Sequence, residues 1–415
     1  MRREILFLAH RLPFPPDRGD RIRSHHVLKH LAGLAPVHVG CLADDERDCA
    51  QAAELDGVAQ SQYVAVRRKP LPLAGIEALV RREPVSLSAF RHTGLEAWVR
   101  HTLATRPIST VYVFSGQMGQ YVPPGFKGRV VVDLVDVDSA KFEAYASQKS
   151  GPRSWIDARE GRLLARVEQR LAERAAHTLF VSEAEAGLFL SRLQDCAPVR
   201  VRALANGIDT DFFSPAAVPP DGQVMAKPGP HICFTGQMDY PPNVEAAIRL
   251  AERVMPGVRA AYPQAQCHIV GRDPAPAVRA LDGCNGVRVW GSVPDVRPFL
   301  AAADLVVVPL VIARGVQNKV LEAMAMARPV VLSPEAATGI ATDDGEPFSI
   351  ARDDAKMIAQ SLDLLGNLEK AKALGKRARG HVVEHCSWAG ALAPLAGIMG
   401  IGEADGDGGM GRAAA

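Results

Sequence analysis

The sequence predicts an α/β protein of two domains, each built around a parallel sheet. The chain has 415 residues, which is more than a single hydrophobic core usually serves. Short apolar runs alternate with amphipathic stretches in both halves, as the strands and helices of a parallel sheet require. Residues 214–230, rich in proline, alanine and glycine, interrupt this alternation. We predict that they form the linker between the domains.

The first domain is predicted to span residues 1–213, and the second residues 231–385. Strands of the first domain are expected at 4–9, 37–42, 63–66, 110–114, 129–133 and 179–181. Strands of the second are expected at 232–236, 267–271, 287–289, 304–310, 329–332 and 348–350. A C-terminal helix over 386–400 could cross back to the first domain. The glycine-rich residues 401–415 are predicted to be disordered.

Composition favours a soluble globular protein and gives no sign of nucleic-acid binding. Hydrophobic residues make up 47% of the chain, and the formal net charge is +2, so there is no strong basic footprint. The seven cysteines include no Cys-x-x-Cys pair, which favours reduced thiols in the cytoplasm over zinc or disulfides. We expect neither a signal peptide nor a membrane span, because no apolar run approaches about 20 residues.

A proline-rich, basic turn follows the first strand. Gly19 would let the backbone approach a ligand closely, and Arg18, Arg21 and Arg23 surround it with positive charge. The turn is either a phosphate or acceptor loop, or a stiff connection with solvated arginines, and both interpretations stay open. No Gly-x-Gly-x-x-Gly pattern occurs, which argues against a dinucleotide oxidoreductase.

A second basic run, residues 67–69, stands beside Leu71 and Leu73. The apolar stretch 76–80 and the arginine pair 81–82 follow it. This combination could rest on anionic lipid headgroups, which would give the protein a peripheral contact with the inner face of the cell membrane. The alternative is an ordinary solvated, charged face.

Two aspartates follow the strand predicted at 129–133. Asp136 and Asp138 have the Asp-x-Asp form with which metal-dependent sugar transferases hold a divalent cation. The form is common by chance, and acidic residues also favour the positive end of a helix. We therefore predict no metal ligand here.

The strongest functional signal lies in residues 314–325, which join two apolar runs. They predict a turn and then a helix that begins near Asn318, whose side chain could cap it. The helix start would attract an anion through its free N–H groups and its dipole. Lys319 would add a formal charge for a phosphate, and Glu322, about 5 Å further along, could hold both ribose hydroxyls. The alternative is a surface Lys–Glu pair on an ordinary helix.

Taken together, several motifs resemble the retaining family-4 glycosyltransferases. The stretches that resemble that family's donor signature, pre-linker segment, base-binding loop and first-domain strand end are 316–331, 205–215, 291–309 and 180–183. A narrower resemblance is to the sugar transferases associated with the PEP-CTERM/exosortase exopolysaccharide system, in residues 10–15, 133–139 and 314–319. The resemblance covers nearly the whole chain up to about residue 399.

The resemblance implies the GT-B fold, in which two Rossmann-like domains face each other across a cleft. It implies transfer of a sugar from a nucleotide-diphosphate donor to a glycan or lipid-linked acceptor. It further implies retention of configuration, no required cofactor or metal, and a role in exopolysaccharide biosynthesis in the cytoplasm.

The resemblance also supplies a predicted donor site. Glu322 matches the glutamate that holds the donor ribose, and Gly19 matches the glycine that approaches the diphosphate. The residues predicted to bind the donor are Gly19, Gly236, Gly291, Val293, Gly315, Val316, Gln317, Asn318, Lys319 and Glu322.

Three departures from the family pattern bear on catalysis. Arg314 stands where an earlier glutamate is usual, and Asp136 replaces a family histidine. The usual basic pair after the first strand of the second domain is absent, and Asn243 is among the residues that stand there instead. We therefore predict Lys319, Arg314 and Asp136 as the catalytic residues.

Two rival functions remain. The missing glutamate and basic pair favour a non-catalytic homologue that binds a nucleotide sugar without transferring it. A sugar-nucleotide epimerase of the same fold would need no acceptor, so product analysis without an acceptor separates it from a transferase.

Overall fold

A computed structural model describes residues 3–16, 19–148, 151–194, 197–313, 316–340 and 347–401. The chain divides into two compact units. The first unit comprises Met1–Asn206 and Leu392–Ala415, and the second comprises Gly207–Ala391. Each unit contains one parallel sheet with helices, so the predicted fold class is confirmed. The boundaries drawn from the sequence at 213, 230 and 385 stay predictions.

The described sheet of the first unit has seven parallel strands in the order β3-β2-β1-β4-β5-β6-β7. The strands are β1 Glu4–Ala9, β2 Val37–Ala43, β3 Ser61–Val66, β4 Ile108–Phe114, β5 Arg129–Val135, β6 His177–Phe180 and β7 Val201–Ala203. The helices are α1 Gly19–Leu34, α2 Glu46–Ala50, α3 Leu71–Arg81, α4 Val85–Ala89, α5 Thr93–Thr105, α6 Asp138–Gln148, α7 Pro152–Arg174 and α8 Glu183–Arg192. The central strands are buried along almost their whole length, as expected where helices cover both faces of a parallel sheet.

The described sheet of the second unit has six parallel strands in the order β10-β9-β8-β11-β12-β13. The strands are β8 His231–Thr235, β9 Gln266–Val270, β10 Val287–Gly291, β11 Leu305–Val308, β12 Val330–Leu332 and β13 Ser349–Ile350. The helices are α9 Gly222–Met225, α10 Pro241–Arg249, α11 Met255–Ala261, α12 Pro276–Arg279, α13 Arg297–Ala302, α14 Asn318–Ala325, α15 Asp354–Gly366 and α16 Leu368–His381. Strand order reverses between β8 and β11, and ligands of open α/β sheets bind outside the carboxyl ends of the strands at such a point.

Six further helical segments remain in the part of the chain that the structure describes, of which four are 3₁₀ or π-helices. Two are 3₁₀ helices, Gln51–Leu55 and Gly116–Tyr121, and two are π-helices, Leu250–Val254 and Val382–Cys386. The second π-helix leads into two short helices at the end of the chain, α17 Trp388–Leu392 and α18 Leu395–Ile398. Among the described residues, every helix is too short or too polar to cross a lipid bilayer.

The segment predicted as a linker packs on the second unit. It contains α9, and Val224 of that helix is only 1% exposed. The backbone N–H of Asp221 donates a hydrogen bond to the carbonyl of Pro298, at 3.0 Å. Much of this proline-rich stretch is therefore part of a folded unit.

The end of the chain packs on the first unit. Leu395, Ile398 and Met399 are buried. Thr110 Oγ1 donates a hydrogen bond to the carbonyl of Met399 at 3.3 Å, and Arg129 Nη1 donates to that of Ile398 at 3.2 Å. The single helix predicted over 386–400 is wrong in detail, because π-helical turns and the short helices α17 and α18 occupy that stretch. The tail predicted to be disordered, from residue 402 onward, lies outside the described residues.

Candidate functional site

A cavity of about 530 Å³ lies in the second unit, at the carboxyl ends of β8 and β9 and the start of α14. It occupies the position that the strand order marks for a ligand. Seven of the residues predicted to bind the donor line it: Gly236, Val293, Val316, Gln317, Asn318, Lys319 and Glu322.

Glycines bring three strand ends close together beneath this cavity. Gly271 N–H donates to the carbonyl of Gly291 at 2.9 Å, and Gly236 N–H donates to that of Val270 at 3.1 Å. A Cβ on Gly271 would lie 1.6 Å from the oxygen of Gly236, which no side chain permits. The glycines therefore leave backbone rather than side chains at this edge of the sheet, so a ligand can approach closely.

Helix α14 begins at Asn318, as predicted, but the predicted capping role of Asn318 is wrong. Asn318 is already the first helical residue, and the residue that precedes it, Gln317, makes no capping hydrogen bond with its side chain. Val320 and Met324 are fully buried and anchor the helix on the sheet. The first turn of α14 therefore has no side-chain cap from Gln317, and its residues Asn318 and Lys319 line the cavity.

Lys319 and Glu322 are held half-buried at the cavity wall. The Lys319 Nζ donates a hydrogen bond to Asn243 Oδ1 and lies 5.2 Å from the centre of the Phe234 ring. Burial lowers the pKa of Lys319 to about 8, although the carboxylate of Glu322 acts in the opposite direction. Burial raises the pKa of Glu322 to about 7, against the effect of Lys319.

Within the described residues, no side chain donates a hydrogen bond to the Glu322 carboxylate. That carboxylate lines the cavity, so it can accept hydrogen bonds from hydroxyl groups of a ligand. The ammonium of Lys319, about one helical turn before Glu322, can neutralise an anion. The pair can therefore hold a molecule that carries both hydroxyls and a negative charge.

Arg272 is a cation of this cavity that the sequence analysis missed. It lines the cavity, and its Nη2 donates to Gln237 Oε1 at 2.9 Å. The signal that could have found it is its place directly after the strand-and-glycine segment 266–271, at the ligand-binding edge of the sheet. Arg272 supplies positive charge in the unit that lacks the basic pair expected of the family.

Three side chains in a row, joined by polar contacts, support the loop that begins at Gly291. Trp290 Nε1 donates to His268 Nδ1 at 3.1 Å, and His268 Nε2 lies 3.1 Å from His231 Nδ1. Burial, together with the neighbouring His231, lowers the pKa of His268 to about 4. A neutral His268 can accept the indole hydrogen bond, which fixes the residue that precedes the glycine.

The remaining predicted site residues do not line this cavity or lie outside the described residues. Gly19 is the first residue of α1 in the first unit, and a Cβ there would meet nothing within 4 Å. Asp136 and Asp138 both bind Lys141 Nζ, at 3.0 and 3.1 Å. Arg314 and Gly315 lie outside the described residues. The roles of these residues stay predictions.

The arginines expected around Gly19 are engaged elsewhere. Arg23 is 1% exposed, and its Nε and Nη2 bind the buried carboxylate of Asp133 at 3.0 and 3.2 Å. Arg21 binds Asp48, and Arg18 lies outside the described residues. The prediction that Arg21 and Arg23 present free charge beside the glycine is therefore wrong, because carboxylates distant in sequence neutralise them.

Comparison with known proteins relates the second unit to sugar transferases. Residues 229–367 match the family described as glycosyl transferases group 1. The chain is also 28% identical, over 245 residues, to alpha-maltose-1-phosphate synthase of Mycolicibacterium smegmatis. That alignment covers 54% of this chain and 62% of the relative. The family match lies within the second unit, and the chain spans less than two thirds of the length of the relative.

Solved structures extend the likeness over both units. The structure of Anabaena HepE in complex with UDP matches with a TM-score of 0.59 and 16% identity, over 96% of this chain and 99% of that one. Sucrose-phosphate synthase of Thermosynechococcus elongatus matches with a TM-score of 0.57 and 16% identity, over 96% and 98%. At such identities the likeness establishes the fold, which is that of GT-B glycosyltransferases.

Proposed function

We propose that this protein transfers a sugar from a nucleotide-diphosphate donor to a glycan or lipid-linked acceptor, with retention of configuration. The observation that carries the proposal is the cavity of the second unit, where Lys319 and Glu322 stand one helical turn apart at a helix start. The match of residues 229–367 to glycosyl transferases group 1 supports it. So do the relatives whose structures contain UDP and UDP-glucose.

Four residues of the cavity have a proposed role. Lys319, with the N–H groups of the helix start, stabilises the diphosphate as the bond to the anomeric carbon breaks and the leaving oxygen gains its electron pair. Glu322 holds the ribose hydroxyls. Gly236 lets the diphosphate approach the backbone, and Val293 lies in the loop proposed to meet the base.

Residues outside the described cavity complete the proposal. The proposed roles are a share of the diphosphate charge for Arg314, binding of the phosphates for Gly19, and action on the acceptor or the donor sugar for Asp136. The stretches 10–15 and 133–139 support a role in exopolysaccharide biosynthesis of the PEP-CTERM/exosortase type. We propose a cytoplasmic location, in keeping with the free thiols of all the described cysteines.

The first test is a thermal-shift screen of the full chain against nucleoside diphosphates and their sugars. Binding to the folded state raises the apparent melting temperature. Transfer is then assayed with the best donor and lipid or glycan extracts as acceptors. Lys319→Ala should lower turnover by at least ~10²-fold, while unchanged turnover would remove Lys319 from the mechanism.

The same assay separates the rival functions. Nucleotide binding without transfer or hydrolysis across the donor panel would identify a non-catalytic homologue. A new nucleotide sugar formed without any acceptor would identify an epimerase. Failure of every nucleotide to shift the melting temperature would overturn the donor site itself.

A further inference from the structure

Helix α3 of the first unit exposes its large apolar side chains and buries small ones, the reverse of the usual pattern of a helix in water. Its buried side chains are the small Ala74 and Ala78, while large apolar residues point outward. The exposed fractions are 64% for Leu71, 58% for Leu73, 61% for Ile76, 56% for Leu79 and 79% for Val80. A concentration of apolar surface of this kind marks an interaction site.

A second element extends this apolar surface. At the start of α7, Trp155 and Ile156 are 60% and 49% exposed. Trp155 and Leu79 line the same cavity, of about 360 Å³, between α3 and α7. The two helices are joined firmly, because Arg159 donates hydrogen bonds to the carbonyls of Ala78 and Glu83 at 3.1 and 3.3 Å.

Arginines without acidic partners border the apolar surface. Arg82, Arg159, Arg162 and Arg166 line the cavity beside Trp155. Among the described residues, no carboxylate forms an ion pair with any of these four guanidinium groups. The nearby acids are occupied: Glu83 pairs with Arg91, and Glu160 accepts three hydrogen bonds from Val85 and Ser86.

Three of the cations singled out in the sequence, residues 67–69, are in contrast neutralised. Arg67 pairs with Asp44 at 3.3 Å, Arg68 with Glu46 at 2.5 Å, and Lys69 with Glu77 at 2.7 Å. The free positive charge of this face therefore comes from α7 and from Arg82, which the sequence had also singled out, and not from residues 67–69. This corrects the source of charge that the sequence had indicated.

We propose that α3 and the first turns of α7 form a docking surface for a bilayer that contains anionic phospholipid. The exposed apolar residues of α3 would enter the boundary between headgroups and acyl chains, and Trp155 would lie at that boundary. Arg82, Arg162 and Arg166 would bind lipid phosphates. The surface of an anionic bilayer is a continuous plane of negative charge, and it complements the arginines that border the apolar surface without acidic partners. The inference does not depend on the proposed transferase activity.

The test is sedimentation of the full chain with vesicles of phosphatidylcholine alone and of phosphatidylcholine with phosphatidylglycerol. The protein should bind the anionic vesicles, and added salt should weaken binding. Arg162→Gln with Arg166→Gln should lower the partition coefficient by about tenfold or more. Ile76→Ser with Val80→Ser should lower it by a similar factor, about tenfold or more.

Matched controls lie on α16 of the second unit, where Lys376 and Arg377 are exposed and Leu368 is 62% exposed. Lys376→Gln with Arg377→Gln removes the same charge, and Leu368→Ser removes an exposed apolar side chain, so both should bind vesicles as the wild type does. An unchanged thermal shift with UDP shows that a variant is folded, and circular dichroism does so if UDP does not bind.

Three outcomes would overturn the proposal. The first is equal binding to neutral and anionic vesicles with no loss in the arginine variant. The second is stabilisation by inorganic phosphate through Arg162 and Arg166 without vesicle binding, which would identify a small-anion site. The third is a wild-type oligomer that becomes monomeric in the Ile76→Ser, Val80→Ser variant without vesicle binding, which would identify a protein interface.

Discussion

The ammonium of Lys319 donates a hydrogen bond to the side-chain oxygen of Asn243. Asn243 is itself fixed, because its Nδ2 donates to the carbonyl of Gln237 at 2.9 Å. Asn243 is 5% exposed and occupies the region where the resembling family carries a basic residue. In this chain, a neutral amide thus orients the cation instead of adding a second one.

Asn243→Asp should weaken UDP binding without unfolding the protein. The new carboxylate has the shape of the amide but neutralises Lys319 and repels the diphosphate, so we expect the dissociation constant to rise by about tenfold or more. Isothermal titration calorimetry measures the change. Asn367→Asp, at the N-cap of α16, adds the same charge at a position where aspartate caps equally well. A loss of affinity as large in that control would show that net charge, and not the Lys319 contact, is responsible.

UDP affinity should fall as the pH rises through about 8, the pKa of Lys319. The diphosphate binds the protonated ammonium, so binding takes up protons above this pH and becomes weaker as the lysine loses its charge. Titrations in buffers of different ionisation enthalpy measure the proton uptake. Lys319→Met should abolish the dependence, and a variant that kept the wild-type slope would assign it to another group.

Two glycines of the site should respond differently to alanine. Gly271→Ala places a Cβ against a backbone oxygen, 1.6 Å away, and should destabilise the second unit by several kcal/mol, on the order of 3. Gly236→Ala meets the side chains of Asn243 and Lys319 at 2.9 and 3.2 Å. These can move, so this variant should lose UDP affinity with a smaller loss of stability. Urea denaturation measures the two losses of stability, and calorimetry measures UDP affinity. Equal losses of stability in the two variants would contradict the prediction.

The buried side chains of Arg23 and Asp133 should be coupled in their contributions to the stability of the first unit. Asp133 also accepts a hydrogen bond from Tyr112 at 2.7 Å, and Arg23 Nη1 donates to Asn206 at 2.9 Å. Arg23→Met or Asp133→Leu alone leaves a buried charge without its partner and should cost about 3–5 kcal/mol of unfolding free energy. The double variant should cost much less than the sum. Additive losses in urea denaturation would show that the two side chains are not coupled.

The alternation of strands and helices could be predicted because it depends on local patterns. Apolar runs identify buried strands, and the spacing of Lys319 and Glu322 places them on one face of a helix without any knowledge of the tertiary structure. Seven of the predicted donor residues line one cavity for the same reason. Each follows a strand or lies in the first two turns of a helix, at the same edge of one sheet.

Contacts between distant segments could not be predicted in this way. Arg23 looked like a surface cation, and only its pairing with Asp133, 110 positions away, explains why it is buried. The place of Arg272 after a strand and a glycine was a usable signal, but its contact with Gln237 depends on β8 and β9 being neighbours in the sheet, which a single sequence does not reveal. The outward direction of Ile76 and Val80 was one of two interpretations that the sequence left open, because it depends on which residues of α3 pack on the rest of the unit.

The packing of residues 392–401 on the first unit has a consequence for folding during synthesis. Strands β4 and β5 of that unit receive hydrogen bonding partners, at Met399 and Ile398, that leave the ribosome only after the entire second unit has been synthesised. A fragment that stops at residue 206 would therefore leave Thr110 and Arg129 without these two hydrogen-bond acceptors. The amino-terminal unit can thus complete its packing only after the second unit has been synthesised.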